Sequence, residues 1–322
     1  MKLAIVGYGY WGTNITRTLK ELGHEIEFLF DTDPARMEKA SENYKFKQAS
    51  SLDEILDSDV EYVFVATPPN THFEISKRIL QSGKNVFVEK PISTSYEQSY
   101  DLFAVAEKHG KTLFVDHTFV FSEPVIFLRK MIREGGLGNL VYINSRRINL
   151  GLFQQHVDVI WDLAVHDFSI IDFLVGLDIS RFSVYKKKYN SFPQDAFANI
   201  NLELNSGLMI NVSVSWLSPV KVREMILGGS EKMAVYDDTL TNKIKIFDCG
   251  VVIKENFSKE ELYSRMVQYK LGDVFEPEIP SKQALTNSIN AFFKTVKTGK
   301  YFGNDRDSVL RVSKTLEIIS RS

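Results

Sequence analysis

Three sets of residues in this chain have the types and spacing for chemistry. The first is Asp162 and His166, four positions apart in Trp161-Asp-Leu-Ala-Val-His-Asp167. On a helix such residues share a face. A carboxylate one turn from an imidazole can orient it and raise its basicity, and histidine suits general acid/base work near neutral pH. The same pair also reads as a helix cap (Asp162) followed by a core histidine. The second is Lys90 in Val86-Phe-Val-Glu89-Lys90-Pro91. A lysine ending a buried strand is costly unless it is paired or faces a polar cleft; as a turn residue it would simply be solvated. The third is Gly7-x-Gly9-x-x-Gly12, entered from the apolar run Leu3-Ala-Ile-Val6.

That glycine turn implies a dinucleotide. Gly7 permits the tight strand-to-helix turn, Gly9 lets a pyrophosphate approach the backbone, and Gly12 lets the helix pack on the strand. Amide groups at the helix start, Tyr10 and Trp11 among them, then face the phosphates. Asp31 lies 19 residues beyond Gly12, ending the run Glu25-Ile-Glu-Phe-Leu-Phe30. There a carboxylate accepts hydrogen bonds from the adenosine ribose and repels a 2′-phosphate, which favours NAD over NADP. Asp31 also reads as the start of the turn Asp-Thr-Asp-Pro, in which Asp33 caps a helix opened by Pro34. Arg36 leaves NADP open. A further turn, Ala66-Thr67-Pro68-Pro69-Asn70-Thr71-His72, follows a strand and places Thr67, Pro68, Asn70 and His72 at a sheet end, where open α/β sheets bind ligands.

The elements that must position these groups are legible as rhythm. Strands at 3–6, 25–30, 61–67, 85–89 and 112–116 alternate with helical stretches at 14–22, 35–43, 52–56, 73–81 and 96–109, which indicates a parallel sheet covered on both faces. Beyond residue 120 the rhythm changes. A helix at 124–134 is followed by alternating strands at 140–148, 181–188, 199–204, 208–216 and 222–227, with Asn205-Ser-Gly207 as a hairpin turn. Such alternation implies an antiparallel sheet with one exposed face. Two helices close the chain. The expected plan is a Rossmann domain over 1–119 and an α+β domain over 120–322 built on a large, open, mostly antiparallel sheet. The C-terminal helices are free to pack back on the first domain.

Bulk properties narrow the classes. The 322 residues suffice for two cores, and a net charge of −2 argues against a nucleic-acid partner. A single cysteine, Cys249, excludes an intrachain disulfide, and the six histidines lack metal-ligand spacing. No apolar run reaches membrane-spanning length. The N-terminus enters the first strand without a signal-like segment, so a cytoplasmic protein is expected.

Taken together, Gly7-x-Gly9-x-x-Gly12, Thr67-Pro-Pro-Asn-x-His72, Glu89-Lys90-Pro91 and Asp162-x-x-x-His166 resemble the glucose–fructose oxidoreductase, inositol dehydrogenase and rhizopine-catabolism (Gfo/Idh/MocA) family of NAD(P)-dependent enzymes, over nearly the whole chain. The resemblance implies Lys90, Asp162 and His166 as the catalytic group. It also extends the cofactor contacts to Glu89 and Lys90. Ala164 stands where the family often has glycine. The stretches 149–154 and 159–167 look most like the nucleotide-sugar branch, which acts at the 3-position of UDP-N-acetyl sugars or on related keto-sugars in surface-polysaccharide pathways. Arg146, Arg147, Asn149 and Gln155 are then expected to contact substrate beside Lys90, Asp162 and His166. Competing expectations are a dehydrogenase of a free inositol, polyol or anhydro-sugar, and a non-catalytic NAD(H)-binding regulator. The strand 208–216 carries a small polar face, which fits packing of one sheet on another in a homodimer or homotetramer.

Overall fold

The computed structural model describes residues 1–151, 153–253, 267–270, 272–280 and 282–322; Leu152, within one stretch that carried the family resemblance, lies outside them. In chain order the elements are β1 (Leu3–Val6), α1 (Tyr10–Glu21), β2 (Ile26–Phe30), α2 (Pro34–Asn43), β3 (Lys47–Gln48), α3 (Leu52–Leu56), β4 (Tyr62–Val65), α4 (Pro69–Gln81), β5 (Asn85–Glu89), α5 (Tyr96–Lys108) and β6 (Leu113–Asp116). A 3₁₀ turn (Thr118–Phe121), α6 (Glu123–Arg133) and β7 (Leu140–Leu150) follow, then a π-helical turn (Ile160–Ala164) running into α7 (Val165–Val175). Next come β8 (Ile179–Lys188), β9 (Asp195–Leu204), β10 (Met209–Ser215), β11 (Leu217–Gly229), β12 (Met233–Asp237), β13 (Ile244–Phe247), β14 (Gly250–Ile253), β15 (Val267–Lys270) and β16 (Val274–Phe275). Helices α8 (Ala284–Thr298) and α9 (Arg306–Arg321) end the chain.

These elements form two compact units. The first combines Met1–Ser122, Gln154–Phe173 and Lys282–Arg321; the second combines Glu123–Phe153 and Leu174–Ser281, with Ser322. In the first unit six parallel strands run in the order β3-β2-β1-β4-β5-β6. This is the doubly wound order, whose switch point between β1 and β4 opens a crevice at the carboxyl ends of the strands. One face of the sheet is aromatic. Phe64, Phe87 and Phe114 are register partners on β4, β5 and β6, and Phe292 of α8 meets all three rings at 5.5 to 5.6 Å between centroids. The other face is aliphatic: Val63, Val65, Val86, Val88, Leu113 and Val115 form one core with Ile79, Leu102 and Ala106 of the covering helices. Strands buried on both faces explain why these segments read as unbroken apolar runs.

The second unit holds an eight-stranded sheet, β16-β13-β12-β11-β7-β10-β9-β8, antiparallel except where β10 runs parallel to β7. Its strands alternate as expected. Ile200 and Leu202 of β9 and Ile210, Val212 and Val214 of β10 are buried. On the opposite face Asn211 Nδ2 donates to Asn199 Oδ1 at 3.1 Å and Asn201 Oδ1 at 2.8 Å. β14 and β15 pair as a separate antiparallel ribbon.

Several boundaries differ from the sequence expectation, and at two of them the physical reason is plain. α1 begins at Tyr10, inside the glycine motif, rather than at residue 14. Gly12 lowers helix propensity, yet it sits in the helix because its backbone packs directly on Gly7. β11 starts at Leu217 instead of 222, because a register shift between Leu217 and Val222 carries the strand through an irregular stretch that has no clean alternation.

Candidate active site

The glycine turn is built as its spacing demands. Gly7 has φ +96°, a left-handed value, and a Cβ there would lie 2.6 Å from the Ala66 carbonyl oxygen. A Cβ on Gly12 would lie 2.0 Å from the Gly7 oxygen. Gly9 is different: the nearest atom to a Cβ there is Arg36 Nη1 at 3.7 Å. Internal packing therefore explains Gly7 and Gly12 but leaves Gly9 facing open space, which is the cradle a pyrophosphate needs. The first turn of α1 has no side-chain cap and no acidic residue, so its amide groups point outward at a positive dipole end.

Asp31 closes the turn from the side. Its Oδ2 accepts from the Tyr8 amide at 2.7 Å and its Oδ1 from the Asp33 amide at 2.8 Å. Arg36 Nη1 stands 3.5 Å from the same carboxylate, and Arg36 Nε 3.3 Å from Asp33. Asp33 also caps α2 by accepting from the Ala35 amide at 3.0 Å, with Pro34 next in line. The two readings of the Asp31-Thr-Asp-Pro segment thus hold together, on different residues. Asp31, Thr32, Arg36, Thr67 and Pro68 line a cavity of about 190 Å³ beside Gly7.

A second cavity, of about 220 Å³ and also wholly within the first unit, runs from Gly9, Tyr10 and Trp11 past Pro68 and His72 to Glu89, Lys90, Gln154 and Asp162. Tyr10 and Trp11 form an exposed edge-to-face pair at 5.4 Å. On the cavity wall Lys90 Nζ donates to the Asp162 carbonyl at 2.8 Å and to Asp162 Oδ1 at 3.3 Å. Their side chains are only 10% and 21% exposed, so Lys90 is a paired, cleft-facing ammonium and not a solvated turn lysine. A charge-assisted hydrogen bond of this kind contributes about 1.5–3 kcal/mol.

Asp158 explains why Asp162 is placed to do this. Asp158 Oδ1 accepts from the amides of Ile160 and Trp161 at 3.0 and 2.9 Å, and so caps the helical segment itself. The π-helical turn then carries Asp162 toward Lys90; such turns recur at functional sites. His166 follows in the first turn of α7, its ring edge-on to Phe119 at 5.0 Å.

His72 has a different task from the one its motif suggested. It is fully buried, with Nδ1 2.7 Å from the Pro91 oxygen and Nε2 2.7 Å from the Thr67 oxygen. It ties the Thr67-Pro68 turn to the cis Lys90-Pro91 segment. Burial lowers its pKa, so the neutral ring donates to one of the two carbonyls. Thr71 Oγ1 braces the same turn through the Thr67 hydroxyl and the Pro68 oxygen, both at 2.7 Å. Asn70 is exposed and lines neither cavity.

Of the expected substrate contacts, Gln155 is exposed, and it is Gln154 that lines the Lys90 cavity. Arg146, Arg147 and Asn149 belong to β7 in the second unit, where Arg146 is exposed and Arg147 buried on the opposite face. The sequence reading passed over Asp116 and His117. The runs Phe87-Val-Glu-Lys90 and Phe114-Val-Asp-His117 have the same pattern, apolar pair then acid then base, and that repetition was the available signal. Burial raises the pKa of Glu89 well above the carboxylate range, with the Asp116 charge adding to it, and raises Asp116 to about 6. Burial, with the Lys90 charge beside it, lowers His117 to about 4.

Comparison with known proteins agrees with this geometry. Residues 1–117 match the model of the oxidoreductase family with an NAD-binding Rossmann fold, and residues 125–235 match the GFO/IDH/MocA C-terminal domain. An uncharacterized oxidoreductase of Streptococcus pneumoniae is 34% identical over 189 residues, which cover 55% of this chain and 50% of that protein. A 2,7-anhydro-N-acetylneuraminate hydratase of Mediterraneibacter gnavus is 30% identical over 54% of this chain and 49% of the other. The matched region thus spans about half the length of these relatives. The solved UDP-N-acetylglucosamine 3-dehydrogenase of Acidithiobacillus ferrooxidans superposes with a TM-score of 0.80 at 20% identity, covering 100% of this chain and 96% of that one. The chain belongs to the GFO/IDH/MocA oxidoreductase family and carries its NAD-binding domain.

Proposed function

We propose that the protein is an NAD-dependent oxidoreductase acting on a secondary hydroxyl or keto carbon of a sugar, with a nucleotide sugar of the UDP-N-acetylhexosamine class as substrate. The observation that carries this reading is the Lys90–Asp162 pair on the wall of the cavity that begins at Gly9. NAD, when bound, supplies the hydride acceptor or, reduced, the donor. The protein's part is to bind, orient and move a proton. The open first turn of α1 and the space at Gly9 hold the pyrophosphate, and Asp31 receives the ribose hydroxyls. Lys90, fixed on Asp162, donates a hydrogen bond to the reacting oxygen and stabilises negative charge that develops there. His166 takes the hydroxyl proton in oxidation and returns it in reduction. Gln154, which lines the same cavity, contacts the remainder of the substrate.

The similarity to a UDP-N-acetylglucosamine 3-dehydrogenase supports a nucleotide sugar, and the relative named for an anhydro-sugar acid supports a second reading, an anhydro-sugar substrate. Assaying NADH formation with UDP-N-acetylglucosamine, an inositol and an anhydro-sugar separates them. NADH binding without turnover across the whole panel would instead identify a regulator and refute the enzymatic reading. The polar face around Asn211 supports a homo-oligomer joined sheet to sheet. A monomer in light scattering would count against it.

A further inference from the structure

Two buried carboxylates flank Asp162 and His166 along the chain, Asp158 before the π-helical turn and Asp172 within α7. Asp158 Oδ2 accepts from the Ser320 hydroxyl. Asp172 Oδ2 accepts from the Ser308 hydroxyl at 2.6 Å and from Arg311 Nη2 at 3.0 Å, and its Oδ1 accepts from Arg311 Nε at 2.7 Å. All of these donors stand on α9. Asp158 meets the end of α9 and Asp172 its beginning, so the segment and α9 run antiparallel. Ser308 and Ser320 are twelve positions apart, which on a helix is about 18 Å. Two anchor points at that separation fix both the slide and the rotation of the segment between them.

What this register controls lies at Lys90. Lys90 Nζ donates to the Asp162 carbonyl at 2.8 Å and to Asp162 Oδ1 at 3.3 Å. The nearer acceptor is a backbone atom, so the place of the ammonium follows the backbone of the π-helical turn. Such a turn departs from the regular helical ladder, and Asp158 holds its frame. Asp158 Oδ1 takes the Ile160 and Trp161 amides while Oδ2 takes Ser320, and the Asp158 carbonyl accepts from the Asp162 amide at 3.0 Å. One carboxylate therefore joins the start of the turn to α9.

We propose that α9 is a splint for the catalytic segment, and that Asp158, Ser320, Asp172 and Arg311 are positioning residues that set where the Asp162 carbonyl holds Lys90. The proposal rests on the role given to Lys90 above. None of the four lines the cavity that begins at Gly9. They act through the backbone between Asp158 and Asp172, and Lys90 meets the substrate oxygen. Apolar pairs could join the same helices without the cost of burying two carboxylates. Directional bonds at both ends hold one register, which is what a donor placed by a backbone carbonyl requires.

The test uses the full chain in two arms. In the first, without cofactor or substrate, nitrogen NMR follows the Lys90 ammonium, whose signal is identified by its loss in Lys90→Met. Ser320→Ala and Arg311→Met should each shift or broaden that signal, because its nearest acceptor moves. Ser320→Thr keeps the hydroxyl and should leave the signal in place. Arg306→Met is the control: Arg306 also stands on α9 but pairs with Glu107 of α5 at 3.4 Å, and its loss should leave the signal in place too. A signal unchanged in both anchor variants overturns the proposal, and so does an equal change in Arg306→Met, which would mean general loosening of α9. In the second arm, kcat should fall about 10- to 100-fold in the anchor variants, the scale of a displacement near 1 Å at a reacting centre, while NADH affinity stays within about twofold. Ser320→Thr should recover kcat. Wild-type kcat in folded anchor variants with lowered melting temperatures would show a purely structural role and overturn the proposal. If no sugar is turned over by wild type, the functional reading fails by itself and the first arm still decides the splint. Ser320→Ala removes one oxygen at a half-buried position and carries both arms should Arg311→Met fail to fold.

Discussion

The three glycines of the N-terminal turn should respond differently to one added methyl group. At Gly12 the methyl would sit 2.0 Å from the Gly7 carbonyl oxygen, a backbone atom that cannot swing aside. Overpacking of this kind costs about 1–3 kcal/mol or more, which lowers the melting temperature by several degrees. At Gly9 the nearest atom is the end of the Arg36 side chain at 3.7 Å, and the backbone φ of −76° is one any residue adopts. Alanine is a poorer N-cap than glycine, but it also restricts the unfolded chain by about 0.4–1 kcal/mol. The two effects nearly cancel, so Gly9→Ala should keep wild-type stability within about 1 kcal/mol. What it should lose is the pyrophosphate. Each charge-assisted contact from a backbone amide is worth about 1.5–3 kcal/mol, so NADH affinity should fall about 10- to 150-fold. Thermal melts of Gly9→Ala and Gly12→Ala, paired with NADH fluorescence titrations, read both quantities. Wild-type NADH affinity in a folded Gly9→Ala protein would refute the assignment of this turn to the phosphates. A stable Gly12→Ala protein would refute the packing argument.

Lys90→Met and His166→Asn should each reduce kcat by about 10²- to 10⁴-fold, the usual contribution of a general acid/base or a positioned donor, while NADH titrations stay near wild type. Wild-type turnover in both would remove the catalytic assignment. Asp31→Ala should weaken NADH binding about tenfold or more and shift preference toward NADPH, because the carboxylate that repels a 2′-phosphate is gone and Arg36 keeps only Asp33 as partner; an unchanged ratio of the two affinities would place the ribose elsewhere. Asp116 has a folded-state pKa raised from 3.8 to about 6, so its contribution to stability is present below its unfolded value and lost as pH rises through about 6. At about 1.4 kcal/mol per unit, Asp116→Asn should remove up to about 3 kcal/mol of that decline between pH 4 and 7 in urea titrations; parallel curves for variant and wild type would refute the shift. His117 has the opposite sign. Its folded pKa is lowered to about 4, so stability present above about 6.5 is lost as pH falls, and His117→Phe should lessen acid unfolding in the same assay.

What the sequence revealed divides along physical lines. The strand order of the first unit was legible because buried parallel strands and their helices impose two distinct periods, and Gly7, Asp31 and Lys90 stand where those periods change. The i, i+4 spacing of Asp162 and His166 was legible, but the partner of Asp162 was not. Lys90 lies 72 positions away in sequence, and only the folded chain brings them to 2.8 Å. The alternative reading of Asp162 as a helix cap fails because Asp158 performs that task, and a π-helical turn leaves no signature in a pattern with a period of 3.6. His72 belonged to the right motif, and its service to the backbone carbonyls of Thr67 and Pro91 could be seen only in three dimensions. Gln155 and Gln154 are adjacent, and an irregular loop has no period to say which of them faces inward.

The buried polar groups of the first unit support function more strongly than any motif does. Glu89, Asp116, His117 and His72 are all enclosed, and they gather at the carboxyl end of one sheet whose remaining core is aliphatic or aromatic. A sheet selected for stability alone would fill these positions with apolar side chains, since enclosing unpaired polar atoms costs free energy and apolar replacements of similar shape are often neutral or stabilising. Three of the four leave an atom without a partner among the described residues, whereas Asp158 and Asp172, which serve helix ends and helix packing in the same unit, are hydrogen-bonded. Where the polar group serves the fold, its partners are present. Among the groups whose partners are missing, Glu89 lines the cavity that begins at Gly9, beside Lys90.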